Sequence, residues 1–255
     1  MLLRRVTEHV KVQNWFAVAI DLVIVVVGVF IGIQVANWND ERVQKLQERS
    51  YLAQLRDEIA SNDQSIENQL KFVGNVIAGG RRALDHLQSA DDCVTGCEAL
   101  LIDFFHASQL WGTPFVRAKF EETQRLGFPS KESTRAAVDE FYGYIDGWDA
   151  VTASPPPYRE RVRGHITPDA AEVLWRGCWH SLSARFEELR RDCEEELKPL
   201  GAAAMLGTMR ADVGLRTELR FWLGQNIFAA RGFPRARHHA QLATAAISRE
   251  LGVDP

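Results

Sequence analysis

Four cysteines are the residues whose spacing says most about chemistry. Cys93 and Cys97 flank Val94-Thr95-Gly96, a turn-forming triplet that brings their Cα atoms within the roughly 4.4–6.8 Å of a disulfide. Cys178 and Cys193 would stand about 22 Å apart in one continuous helix, so they pair only if the chain reverses near His180–Ser183. More than one connectivity is open, and the expected one is Cys93–Cys97 with Cys178–Cys193. Zinc is the sharper alternative. There is no C-x-x-C, however, and the intervals are not those of a ribbon or finger, so no metal ligand is expected. In a reducing compartment all four would be buried thiols.

Histidine and carboxylate chemistry is harder to place. No H-E-x-x-H and no G-x-S-x-G occurs. His106 lies in the apolar run LLIDFFHASQLW close to Asp103, and these two with His180 are the candidates for a polar acid–base site. The competing reading is a partly buried histidine that is simply hydrogen-bonded. Asp57-Glu58, Glu121-Glu122 and Glu194-Glu195-Glu196 are adjacent pairs that point to different sides of a helix and are poorly arranged for joint proton transfer. His238-His239 follow Arg231, Arg235 and Arg237, a basic cluster suited to an anionic partner or headgroup, or else a solvated face. No glycine loop cradles phosphate, and Trp111, Trp148, Trp175, Trp179 and Trp222 read as core. No cofactor is expected.

Asp21 is anomalous by position. It stands inside an apolar run, where an ionisable group costs on the order of 3 kcal/mol at the bilayer centre, unless it is protonated or lies near the interface. At helical spacing it shares a narrow face with Gly28, Gly32, Ala36 and Asn39. Gly28 and Gly32 form a G-x-x-x-G continued by Ala36, which lets two helix backbones approach, so a homo-oligomer through this helix is one of two readings of the pattern. Glycines are also common in membrane helices without any such role.

These groups depend on a few elements for their placement. LVIVVVGVFIGI, Leu22 to Ile33, contains no polar residue, and extended to Trp15 and Trp38 the segment reaches about 36 Å, enough to cross a hydrocarbon core of about 30 Å. The two tryptophans suit an interfacial belt. A buried soluble helix lacks such a belt, and a cleaved signal peptide has a shorter apolar region and a small-residue cleavage site. The expected organisation is a basic tail at 1–14, a transmembrane helix at 15–38, a long amphipathic helix at 39–90 and a helical domain at 91–255. Positive residues flank the span about equally: Arg4, Arg5 and Lys11 before it, and Arg42, Lys45 and Arg49 after it among Asp40, Glu41 and Glu48. The compact basic tail and the even cysteine count place the tail in the cytoplasm and the domain outside it. With only this tail before the span, no cytoplasmic output domain is expected.

From Val43 to Leu87 apolar residues recur at steps of three, four and seven, so the span is expected to continue as a helical stalk that packs on its own domain, with Gly79-Gly80 a weak point near its end. Further helices are expected over 98–111, from Thr113-Pro114 to Gly127, and after Ser130. A break at Pro155-Pro156-Pro157 follows, then a helix from Thr167-Pro168 carrying Trp175, Trp179 and Phe186. Two more are expected, one through LRTELRFWLGQNIFAARG and one after Pro234 to about Leu251. Strand-like alternation is nearly absent, so the fold class is all-α, a helical bundle behind the anchor. Composition is globular, with 46% hydrophobic and 25% charged residues, and a net charge of −4 lacks the basic bias of a nucleic-acid binder.

Residues 3–62, LRRVTEHVKVQNW, the span and ANWNDERVQKLQERSYLAQLRDEIASN, resemble a bacterial family of single-span inner-membrane proteins, with fainter echoes in DFFHASQ, FEETQRLGFP and ELRFWL. The resemblance implies an anchored helical architecture and carries over no activity and no site. The expected function is a membrane-anchored, non-enzymatic extracytoplasmic domain for protein interaction or envelope sensing. Its partners would be the lipid bilayer, an unidentified protein and a second copy, with no nucleic acid. The alternatives are an envelope enzyme built on scattered histidines and carboxylates, and a sensor of a small ligand.

Overall fold

The computed structural model describes residues 15–111, 114–152, 155–183 and 186–254. The basic tail and the side chains of Trp15 and Trp148 lie outside the described residues. Helix α1 runs Trp15–Gln88, 74 residues. Its apolar stretch has a mean hydropathy of 2.7 and is wholly exposed, and among the described residues it is the helix long and apolar enough to cross a membrane. The chain divides into two units, Met1–Ser50 and Tyr51–Pro255.

The second unit is helical, as the 3.6-residue period requires. After α1 come α2 (Cys97–Ala107), α3 (Ala118–Arg125), α4 (Glu132–Thr152), α5 (Pro157–Gly164) and α6 (Pro168–Gly177). A hairpin of β1 (Trp179–Ser183) and β2 (Phe186–Leu189) leads to α7 (Glu194–Leu197), a 3-10 turn (Lys198–Leu200), α8 (Ala202–Ala211) and α9 (Val213–Leu251). Two apolar clusters form the core. One gathers the end of α1, α2, α5, α6, α8 and the start of α9 around Phe104, Tyr158 and Leu206. The other joins α1 from Leu52 to Val76, α4, and α9 from Ala229 to Leu251. Ala236, Ala240 and Ala243 give α9 a small-residue surface within this second cluster.

Glu58 and Asn62, one turn apart on α1, clamp the start of α3. The Glu58 carboxylate accepts from the backbone N–H of Lys119 (2.7 Å) and Phe120 (3.1 Å) and from the hydroxyl of Tyr142 (2.7 Å). The Asn62 amide exchanges two hydrogen bonds with the backbone of Val116. A carboxylate on the unpaired N–H groups of a helix start satisfies orphan donors and opposes the helix dipole. Phe120 stacks on Tyr142 at 3.9 Å between ring centroids.

Several local expectations are corrected. Trp179 and Phe186 are on strands, because the helix stops at Gly177 and the chain turns back between Ser183 and Phe186. Gly177 admits the returning chain: a Cβ there would stand 2.7 Å from that of Cys193. Pro234 does not divide α9, since Phe233 and Ala236 are buried on either side while Pro234 faces solvent. Pro114 does not open a helix; α3 starts at Ala118 with Arg117 as its cap, and Thr113 lies outside the described residues. Helix α4 begins at Glu132, past Ser130, and the stretch after the prolines is itself helix α5. Helix α2 ends at Ala107, and α8 fills a segment for which no helix was expected. Gly79-Gly80 is a close-packing point, since a Cβ at Gly79 would meet the Asp103 carbonyl at 3.0 Å and one at Gly80 the Leu223 side chain at 2.4 Å. Trp175 is exposed where core was expected; Trp222 is buried, and Trp111 and Trp179 are half-buried.

Candidate functional site

Asp103 and His106 stand one turn apart on α2 and are both buried. The Asp103 carboxylate accepts from Arg82 Nε (2.7 Å) and Nη2 (2.6 Å) on α1, and from Arg191 Nη1 (2.7 Å) beyond β2. Two guanidinium groups bond to the one carboxylate, so it is placed as a brace between α1, α2 and the segment after the hairpin. His106 Nε2 lies 3.0 Å from the carbonyl oxygen of Cys178, which only accepts, so Nε2 carries the proton. Burial, against the hydrogen bond to Cys178, lowers the imidazole to about 4. It is neutral at pH 7, with its N–H committed to the backbone. His180 is on β1 opposite Glu188. Asp103 and His106 are thus given positions that tie elements together, and His180 stands on the hairpin.

The cysteines join as two pairs. Cys93–Cys97 closes the loop before α2 with 5.8 Å between Cα atoms, and Cys178–Cys193 closes the hairpin at 5.4 Å. Among the described residues no group of three or more His, Cys, Asp or Glu side chains is placed to hold a metal. On α1, Asp21, Gly28, Gly32 and Ala36 are exposed, and among the described residues, the local backbone of α1 aside, nothing comes within 4 Å of where a Cβ would stand on either glycine.

The outer face of α9 is a different kind of surface. At 100° per residue, Val213, Phe221, Phe228, Arg220, Arg231, Arg235, His238, Leu242 and Arg249 fall within about 100° of arc. All are exposed, Phe221 by 64% and Phe228 by 67%. Among the described residues, Arg220, Arg231, Arg235 and Arg249 make no ion pair or hydrogen bond. The acid at Glu218 points elsewhere and binds Arg161. The basic cluster of the sequence is therefore divided. Arg231, Arg235 and His238 belong to this face, while Arg237 turns inward to Asp63 at 2.9 Å and His239 lies against the Tyr144 ring. Phe221 and Phe228 were missed as surface groups because their spacing of seven also fits a core stripe; the signal was that Arg235 and Leu242 continue it.

No protein-family model, no curated protein and no solved structure matches this chain.

Proposed function

We propose that the chain is a membrane-anchored, non-enzymatic interaction module of the bacterial inner membrane, its tail cytoplasmic and its helical domain periplasmic, and that the outer face of α9 receives an acidic surface of a partner protein. The anchor reading is supported by the apolar stretch of α1, and the oxidising compartment by two disulfides in the remainder of the chain. The single observation that carries the interaction reading is the row of unpaired arginines interleaved with exposed Phe221 and Phe228. Arginine and aromatic side chains are the residues that most often anchor interfaces, and unopposed positive charge selects a negative partner while rejecting a second copy of the same face.

The test is a photo-crosslinking residue in place of Phe228 in the full chain in native membranes. A crosslinked partner peptide rich in Asp and Glu, lost when Arg231→Glu and Arg235→Glu are introduced together, is the expected result. Crosslinks that survive the charge reversal, or that join two copies of the chain, overturn the reading.

A further inference from the structure

Arg159 and Arg163 stand one turn apart on α5, both half-buried, and reach across to the end of α2. Arg159 Nη1 donates to the Ser108 carbonyl (2.8 Å). Arg163 Nε donates to the Ser108 hydroxyl (3.1 Å), and its Nη2 donates to Gln109 Oε1 (3.2 Å). Ser108 and Gln109 are buried, so two guanidinium groups converge on one recessed spot. The Arg163 head also lies over the Trp175 ring, 4.8 Å from its centroid, and 5.8 Å from that of Phe105. Trp175 is in turn held edge to face by Phe105 and Trp179.

The protein acceptors at this spot are neutral. Elsewhere in the domain Arg82 and Arg191 share Asp103, Arg161 has Asp212 and Glu218, and Arg237 has Asp63. Among the described residues neither Arg159 nor Arg163 joins an ion pair. The C-terminal end of α2 offers about half an elementary negative charge, against two full positive ones. Both arginines register the imbalance. Burial lowers Arg159, opposed by Glu187 of β2, and burial first, then Arg159, brings Arg163 down to about 10. Arg159 Nε and Nη2 and Arg163 Nη1 have no acceptor among the described residues. Two partly desolvated like charges with spare donors are stabilised by an anion that accepts from both.

We propose that Arg159 and Arg163 form a binding site for a small oxyanion, a phosphate or a carboxylate, which accepts from both guanidinium groups beside Trp175. Solvent reaches both arginines and the exposed Trp175, so the anion enters without any opening of the core. The contacts to Ser108, Gln109 and Trp175 hold the Arg163 fork in place before the anion arrives, which lowers the cost of binding. The site is independent of the α9 face, whose arginines stand on another helix.

The experiment uses the full chain in detergent, labelled with 5-fluorotryptophan and titrated with inorganic phosphate or with acetate. Chloride holds the ionic strength constant, so general screening is the same at every point. The fluorine resonance of Trp175, identified by its loss in Trp175→Phe, reports events at the Arg163 head itself. A saturable shift with phosphate, with acetate or with both is the expected result. Saturation by phosphate alone assigns the site to a phosphate, and saturation by acetate alone to a carboxylate. Arg159→Gln should weaken that binding by at least about tenfold. Arg159→Lys, which keeps the charge and loses the fork, should fall between wild type and Arg159→Gln, and guards against loss of folding in one variant. If neither anion gives a saturable shift in the wild type, the two arginines only cap α2 and the proposal fails. A saturable shift of equal affinity in wild type, Arg159→Lys and Arg159→Gln would place the anion elsewhere and overturn it as well.

Discussion

The carboxylate of Glu58 and the hydroxyl of Tyr142 meet at 2.7 Å across 84 residues of sequence, and the same carboxylate caps α3. Three donors converge on one buried acid, so removing it orphans two backbone N–H groups and a phenol together. Glu58→Ala should destabilise the folded chain by about 3 kcal/mol in urea unfolding. Arg237→Ala, which removes a half-exposed partner of Asp63, should cost about 1 kcal/mol or less. Equal effects would show that the Glu58 clamp is no stronger than a surface pair.

Stability should fall on both the acid and the alkaline side. His106 is lowered from 6.5 to about 4, chiefly by burial, so below pH 6.5 the unfolded chain takes up a proton that the folded chain refuses. Stability is therefore lost as pH falls from 6.5 through 4, by on the order of 3 kcal/mol in all. Burial first, then Glu58, raises Tyr142, and burial raises Tyr158 well above 10. Above pH 10 the unfolded chain releases protons that the folded chain keeps, and stability falls again. Unfolding free energies measured between pH 4 and 11 should form a dome, and His106→Gln should flatten only its acid side. An unchanged acid limb in that variant would remove His106 as the cause.

The two disulfides should differ in accessibility and in worth. Cys178 and Cys193 are fully buried, whereas Cys93 is half-exposed beside the exposed Val94. Mild reductant without denaturant should open Cys93–Cys97 first, as read by alkylation and peptide mapping. Replacing Cys178 and Cys193 by serine should cost about 3 kcal/mol, the value for a loop of this length, and the shorter Cys93–Cys97 loop should cost less. Preferential labelling of Cys178 would contradict the burial.

The proposed topology, with a cytoplasmic tail and a periplasmic domain, is tested by reporter fusions. Alkaline phosphatase fused after Leu87 should be active, and a reporter that works only in the cytoplasm should be silent at the same point. The reverse pattern would put the domain in a reducing compartment and the cysteines in their thiol form.

Association through α1 is testable on residues 1–45 in a membrane two-hybrid assay. Gly28→Ile with Gly32→Ile should abolish the signal, because branched side chains on that face hold the backbones apart. Val27→Ile with Ile31→Val, on another face, should leave it intact. A wild-type signal no higher than a monomeric control would leave Asp21 to find its partner in another protein or at the interface.

The anchor stretch and the helical class were legible in the sequence because both are set by local pattern. The segment between Trp15 and Trp38, apolar apart from Asp21, Gln34 and Asn37, has the length of a bilayer core, and apolar residues recur at the helical period along α1 and α9. What local pattern could not fix was decided by contacts between distant residues. The run after Gly177 has no strand period of its own, and it becomes a hairpin where Cys193 packs on Gly177 and bonds to Cys178. Pro234 reads as a helix end, yet α9 continues because packing on both sides of that turn outweighs one lost backbone hydrogen bond. Asp103 near His106 reads either as a candidate polar site or as a hydrogen-bonded core pair; Arg82, 21 residues before Asp103, and Arg191, 88 after it, make it a brace. The arginines of α9 read as one cluster until tertiary packing turned Arg237 to Asp63 and left Arg231 and Arg235 facing solvent. Sequence periodicity assigns each residue to a helix, but only the arrangement of neighbouring helices decides which charges find partners, because an ion pair depends on distance in space and not on separation along the chain.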